Sequence, residues 1–100
     1  MFVIVWEFIA KSGREAEFEQ VYGRQGDWAR FFSKGEGYVR TELHRDTQQA
    51  NRYLTLDFWT SEAAYQAFRS QHAQEYLGLD RRSEALTERE TCLGTFLTVD

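Results

Sequence analysis

The chain has 100 residues, 42% of them hydrophobic, and its 16 acidic and 12 basic side chains leave a net charge of −4. This length predicts one core-forming domain over residues 1–100, and the scattering of arginines among carboxylates argues against a nucleic-acid partner. The longest apolar run, Phe2 to Trp6, is too short to span a bilayer. The single Cys92 excludes an internal disulfide and a cysteine-rich metal site. Taken together, these features lead us to expect a cytoplasmic protein that binds no metal and no membrane.

The first half of the chain predicts one strand and two helical segments. Phe2 to Ala10 is rich in β-branched and aromatic residues, which is typical of a well-buried strand. Ser12 and Glu15 match a capping box at the start of a helix. Asp27 is suited to cap a second, short helical turn. The apolar residues expected on these two segments are Phe18, Val21, Tyr22, Trp28, Phe31 and Phe32.

The middle of the chain predicts a pair of strands, over Tyr38 to Asp46 and Arg52 to Trp59, joined by a polar connection. Side chains alternate between the two faces of a strand, so the second of these strands has two different faces. One face is apolar, with Leu54, Leu56 and Phe58. The other is mixed, with Tyr53, Thr55, Asp57 and Trp59.

The last third predicts a long helical region and a final strand. Thr60 or Ser61 is expected to cap a helix from Glu62 to about Leu86, with an irregularity around Gly78. Arg89 to Val99 returns to a β-rich composition. The complete order, β-α-β-β-α-β, predicts an α+β ferredoxin-like fold, with a four-stranded antiparallel sheet and the helices on one face. The apolar residues on the other face predict a homodimer through the sheet faces.

Several common kinds of site are absent from the sequence. The third predicted strand contains Asp57 and no glycine, so it lacks the pattern of an RNA-recognition domain. There is no glycine-rich phosphate loop, no zinc-ligand spacing and no serine or cysteine nucleophile motif.

The remaining candidate site spans the third predicted strand and the helix after it. Asp57 and Trp59 lie near the end of the strand, and a line of aromatic residues with one histidine follows on the helix. Such a set could enclose a flat aromatic ligand, and His72 could take a proton from a phenol. The helical members are Tyr65, Phe68, His72 and Tyr76.

Each of these residues also has an ordinary structural interpretation. Trp59 and Tyr65 could be core aromatics without a role in binding. His72 could be a hydrogen-bonded helix residue at a solvated edge. Asp57 could cap, or could pair with an arginine on a neighbouring strand.

The pattern Tyr53-x5-Trp59-x-Ser61-x3-Tyr65, together with the opening strand and Lys11 to Glu15, resembles antibiotic biosynthesis monooxygenase domains over nearly the whole chain. The resemblance implies a dimeric α/β barrel, in which the sheets of two chains face each other. It also implies cofactor-independent oxygenation of a small phenolic, hydroquinone or polyketide-like aromatic substrate.

The same resemblance implies roles for particular residues. Trp59 and Tyr65 match a tryptophan and a tyrosine of the polyketide oxygenases, whereas Thr55 stands in place of an asparagine and Leu79 falls near the place of an arginine. The implied reaction places the substrate beneath Trp59, transfers its proton to His72 or a water, and uses Tyr65 to steady the oxygenated intermediate. Other side chains expected to contact the substrate are Thr55, Asp57, Phe68 and Tyr76.

Two other functions stay open at this point. The missing asparagine and arginine favour an unrelated reaction, or a dimeric protein that binds a small aromatic molecule without converting it. Haem degradation fits less well, because the asparagine, tryptophan and histidine that the haem-degrading branch uses are replaced near Val5, Phe68 and Gly78.

Overall fold

A computed structural model describes residues 1–100 and contains one four-stranded sheet with helices packed on one of its faces. All strand pairs are antiparallel, in the order β2-β3-β1-β4, so the α+β ferredoxin-like prediction is confirmed. No helix combines the length and the hydrophobicity that crossing a bilayer requires. The elements, in chain order, are β1 (Phe2–Ala10), α1 (Glu15–Tyr22), α2 (Asp27–Phe32), β2 (Tyr38–Arg45), β3 (Arg52–Trp59), α3 (Glu62–Gln71), α4 (Ala73–Ser83) and β4 (Thr87–Leu97).

The helix starts follow the predicted caps in one case out of three. Ser61 caps α3 as expected, and its Oγ accepts a 3.1 Å hydrogen bond from the backbone N–H of Ala64. The prediction of a capping box on Ser12 is wrong, because Arg14 occupies the N-cap position. The Glu15 carboxylate instead accepts a hydrogen bond from the backbone N–H of Gly13. Asp27 is the first residue of α2 rather than its cap.

The long helical region breaks at His72, not at Gly78 as predicted. His72 has φ −121° and ψ 31°, which ends α3 and changes the chain direction before α4. Gly78 continues α4 without interruption, and a Cβ atom at this position would meet only the guanidinium of Arg82, at an ordinary contact distance of 3.5 Å. A glycine inside a helix lowers helix stability by about 1 kcal/mol relative to alanine. Contacts made by the other residues of the helix readily offset a cost of this size. A short 3-10 turn at Glu84–Leu86 then leads into β4, which begins two residues earlier than predicted.

The two faces of β3 point into different environments. Its mixed row is buried beneath the helices, and Tyr53 and Trp59 are almost fully buried there. Its apolar row lies on the opposite face, where Val3 and Val5 of β1 are the cross-strand partners of Phe58 and Leu56. Phe96 of β4 extends the same face and is 53% exposed. This chain therefore has an apolar sheet surface that its own helices do not cover.

Candidate active site

A cavity of about 60 Å³ lies between the helices and the inner face of the sheet. This volume holds a few water molecules. Six of its eleven lining residues are aromatic, and the others are threonines and carboxylates. The lining comprises Trp6 and Phe8 of β1, Tyr22 of α1, Trp28 and Phe32 of α2, Thr41 of β2, Thr55 and Asp57 of β3, Tyr76 and Asp80 of α4, and Glu90 of β4.

Asp57 is the buried charge of this cavity. Its side chain is 8% exposed, and its Oδ1 accepts a 2.7 Å hydrogen bond from the hydroxyl of Thr41, whereas Oδ2 has no partner within the chain. Burial raises the pKa of Asp57 to about 6, and the hydrogen bond from Thr41 acts in the opposite direction. A carboxyl with a pKa close to the working pH is suited to accept and release a proton during a reaction.

A chain of hydroxyl groups supports this carboxyl. The Tyr38 hydroxyl lies 2.8 Å from Oγ1 of Thr41 and donates to it, since the Thr41 proton is directed to Asp57. Thr41 and Asp57 are cross-strand partners of β2 and β3, so the sheet register sets their distance. Burial raises the pKa of Tyr38, which keeps its hydroxyl protonated as a donor.

The aromatic walls are held in place by polar contacts. Trp28 Nε1 donates a 3.2 Å hydrogen bond to Oγ of the buried Ser83, which in turn donates to the backbone carbonyl of Leu79. The guanidinium of Arg69 lies 3.8 Å from the centre of the Tyr76 ring and donates to the Tyr65 hydroxyl. Burial raises the pKa of Tyr76 and of Tyr22, so the wall presents neutral phenols near pH 7.

Two further carboxylates, Asp80 and Glu90, lie where the lining reaches solvent, and we call this pair the acidic mouth. Burial, with the charges of Asp80 and Glu84, raises the pKa of Glu90. No lysine, arginine or histidine lines the cavity. The carboxylates are not grouped closely enough with other ligands to form a metal site of three or more side chains.

Three of the seven residues predicted for the site line this cavity, namely Thr55, Asp57 and Tyr76. The other four pack together beside it, outside its lining. Trp59 lies 5.4 Å from the Tyr65 ring and 5.3 Å from the Phe68 ring, and Phe68 lies 4.8 Å from the His72 ring. His72 Nδ1 lies 3.0 Å from a carboxylate oxygen of Glu75. The catalytic roles of Trp59, Tyr65 and His72 stay predictions.

The structure also brings in residues that the sequence did not single out for the site. Thr41 stands in the inward row of β2 between Tyr38 and Leu43, and a buried hydroxyl among these larger side chains is the only signal that the sequence offered. The register shift at Val39 leaves that residue exposed, so the alternation does not extend through it. Asp80 and Glu90 carry no such signal, since they lie on α4 and β4, far along the chain from Asp57, and share its cavity only in the folded structure. Trp59 Nε1 is the one fully buried side-chain polar atom without a hydrogen-bond partner.

Comparison with known proteins agrees with this architecture. The structure of SnoaB from Streptomyces nogalater, described as a cofactor-independent oxygenase, has a TM-score of 0.80 and 26% identity, over 99% of this chain and 93% of that one. A NIPSNAP domain protein from Burkholderia xenovorans shares the fold, with a TM-score of 0.72 and 14% identity over 99% and 95% of the two chains.

A deoxynogalonate monooxygenase from Streptomyces nogalater is 38% identical over 53 residues, which is 53% of this chain and 42% of that relative. The alignment therefore spans less than half of that protein. The sequence model of the family described as antibiotic biosynthesis monooxygenase matches residues 1–78, more than three quarters of the chain. This chain belongs to the antibiotic biosynthesis monooxygenase family.

Proposed function

We propose that this protein is a cofactor-independent monooxygenase that converts a small phenolic substrate into a quinone, with Asp57 as the general base. The observation that carries the proposal is a buried carboxyl, with its pKa raised to about 6, facing an aromatic cavity. Family membership and the similarity to SnoaB support oxygenase chemistry.

The reaction begins when Asp57 takes the phenolic proton through its unpaired Oδ2. The resulting phenolate is electron-rich enough to reduce O2, and a C–O bond forms at a ring carbon that carries hydrogen. The hydroperoxide then loses water, so one oxygen atom stays as a carbonyl and the other leaves in H2O. Phenol and O2 thus yield quinone and water, and Asp57 returns its proton in the dehydration step.

The cavity walls supply positioning and charge stabilisation. Trp28 and Phe32 offer flat apolar surfaces for a ring, and the neutral hydroxyls of Tyr22 and Tyr76 can donate to negative charge that develops on oxygen. One aromatic ring needs more than about 60 Å³. We propose that the partly exposed Trp6 or Tyr76 turns outward when the substrate enters.

We also propose that the protein works in the cytoplasm as a homodimer through its uncovered sheet face. Val3, Val5, Leu56, Phe58 and Phe96 supply an apolar centre for this interface. The same face also carries the Glu7–Arg52 ion pair and the Arg40 guanidinium, which stacks on the Phe58 ring. The sheet–helix cavity lies on the opposite side of the sheet, so each chain would keep its own site.

The second candidate is a dimer that binds a small aromatic molecule without converting it. Thr55 favours this function, because it lines the cavity where the resemblance to polyketide oxygenases implies an asparagine.

Oxygen uptake tests the proposal. The purified protein is mixed with anthrones and naphthols, and O2 consumption and quinone absorbance are recorded. Turnover that falls at least about 100-fold in Asp57→Asn, while Glu36→Gln keeps the native rate, supports Asp57 as the base. Glu36 is a matched control because it is an exposed carboxylate without a hydrogen bond or ion pair.

Two results would contradict the proposal. Ligand binding, seen as quenching of tryptophan fluorescence, without any oxygen uptake would favour the non-catalytic protein. Full activity in Asp57→Asn together with a large loss in His72→Gln would return the base to His72.

A further inference from the structure

The charge of the cavity lining is one-sided. Three of its eleven residues are carboxylic acids, and none is basic. Asp57 lies at the buried end, whereas Asp80 and Glu90 form the acidic mouth through which a ligand would pass. A ligand in this cavity therefore meets negative charge at its inner end and at its entrance.

One nearby cation, Arg69, interacts electrostatically with Asp80 and so offsets part of the charge at the mouth, but no cation lies inside the cavity. Arg69 is the cation most closely associated with the lining, and its guanidinium stacks on the Tyr76 ring and donates to the Tyr65 hydroxyl. It lies outside the lining itself. A ligand carboxylate would have no charged partner in the cavity, and a buried anion without a partner is costly.

The aromatic walls favour the opposite charge. An ammonium group near the faces of Trp6 and Tyr22 gains cation–π attraction in addition to its attraction to Asp80 and Glu90. Both contributions are strengthened in a partly desolvated site, where the effective dielectric constant is lower than in water.

We propose that this site selects its aromatic substrate by charge, in the order ammonium-bearing, uncharged, carboxylate-bearing. The proposal rests on the proposed function only for the assumption that this cavity is the substrate site. It makes aminoalkyl phenols and neutral phenols the preferred substrates, and it ranks phenolic acids last.

Three naphthols of similar size test this order. They are 6-aminomethyl-2-naphthol, 6-hydroxymethyl-2-naphthol and 6-hydroxy-2-naphthoic acid, titrated into the native protein at pH 7.5 and low salt while tryptophan fluorescence is recorded. We expect the ammonium compound to bind at least about tenfold more tightly than the carboxylate, with the neutral compound between them, and the gap to narrow at high salt. Equal affinities, tighter binding of the carboxylate, or no binding of any of the three would overturn the proposal.

Variants locate the selectivity. Asp80→Asn and Glu90→Gln should each reduce the ratio of the affinity for the ammonium compound to that for the carboxylate severalfold, with little effect on the affinity for the neutral compound. Glu36→Gln, which removes the same charge from an exposed loop, should leave the ratio unchanged. If Glu36→Gln lowers the ratio as much as the other two, the selectivity comes from net charge and not from this cavity.

The result is separable from the proposed oxygenase activity. Selective binding of the ammonium compound without oxygen uptake would support charge selection and contradict the monooxygenase proposal. Oxygen uptake with all three compounds at equal affinity would support the monooxygenase and contradict charge selection.

Discussion

The hydroxyl of Thr41 donates a 2.7 Å hydrogen bond to the carboxylate of Asp57, its cross-strand partner in the sheet. This pair places a charge-stabilising donor beside the one deeply buried acid of the cavity. Burial alone would favour the neutral acid, and the hydrogen bond partly restores the ionised form that a general base requires. The geometry therefore links the pH dependence of activity, the stability of the fold and the register of β2 on β3.

Replacing Thr41 should move the pH profile of activity. Thr41→Val removes the hydrogen bond that lowers the pKa of Asp57, so the rising limb of kcat/KM, expected near pH 6, should shift to higher pH. Thr41→Ser retains a hydroxyl and should keep the native limb. An unshifted limb in Thr41→Val, measured by oxygen uptake between pH 5 and 9, would show that another group titrates.

Asp57→Asn should stabilise the folded protein at high pH. The Asp57 carboxyl has a pKa of about 6 when folded and about 4 when unfolded, so its contribution to stability is complete below about pH 4 and is lost as the pH rises through 6. Above pH 7 the buried carboxylate costs about 2–3 kcal/mol. The neutral amide of the variant avoids this cost, and its oxygen can still accept the hydrogen bond from Thr41.

Thermal unfolding checks this expectation at a fixed protein concentration. The Tm of Asp57→Asn should exceed that of the native protein by roughly 10 °C at pH 8, and the gap should shrink toward pH 4. A gap that is the same at both pH values would mean that ionisation of Asp57 does not limit stability.

Removing the hydroxyl of Ser83 should loosen the wall of the cavity. Ser83→Ala leaves Trp28 Nε1 buried without its acceptor, which should lower the free energy of unfolding by about 1–3 kcal/mol. Ser70→Ala, on the exposed side of α3, should change it by less than about 0.5 kcal/mol. Urea unfolding measures both, and equal effects would argue against a structural role for the Trp28–Ser83 contact.

A charge on the uncovered sheet face should dissociate the proposed dimer. Leu56→Arg places a cation in the middle of the apolar row of β3, whereas Leu77→Arg changes an exposed leucine on α4, on the helical side of the sheet. Sedimentation velocity should show a dimer for the native protein and for Leu77→Arg, and a monomer for Leu56→Arg. A native monomer would contradict the interface, and a dimeric Leu56→Arg would place it elsewhere.

The fold could be predicted because its signals are local. The bounds of β1 and β3 agree with the sequence, since runs of β-branched and aromatic residues between polar segments report strand formation directly. The alternation of side chains in β3 also predicted that one face of this strand is apolar and that the other is mixed. The break at His72 could not be predicted in this way, because the direction of α4 depends on contacts with α2, such as those of Trp28 with Tyr76 and Ser83. Glycine in a helix is also a weak breaker.

The sequence by itself determined the order of the elements, the two-faced third strand and the presence of an acid among aromatic residues, because each of these follows from neighbouring residues along the chain. Only the tertiary structure decided which of those residues share a cavity. It brought together Thr41, Asp80 and Glu90 from three separate elements around Asp57, and it left His72 and Trp59 outside the lining. The physical reason is that a site joins residues distant in the chain, and their meeting depends on sheet register and helix packing rather than on spacing in the sequence.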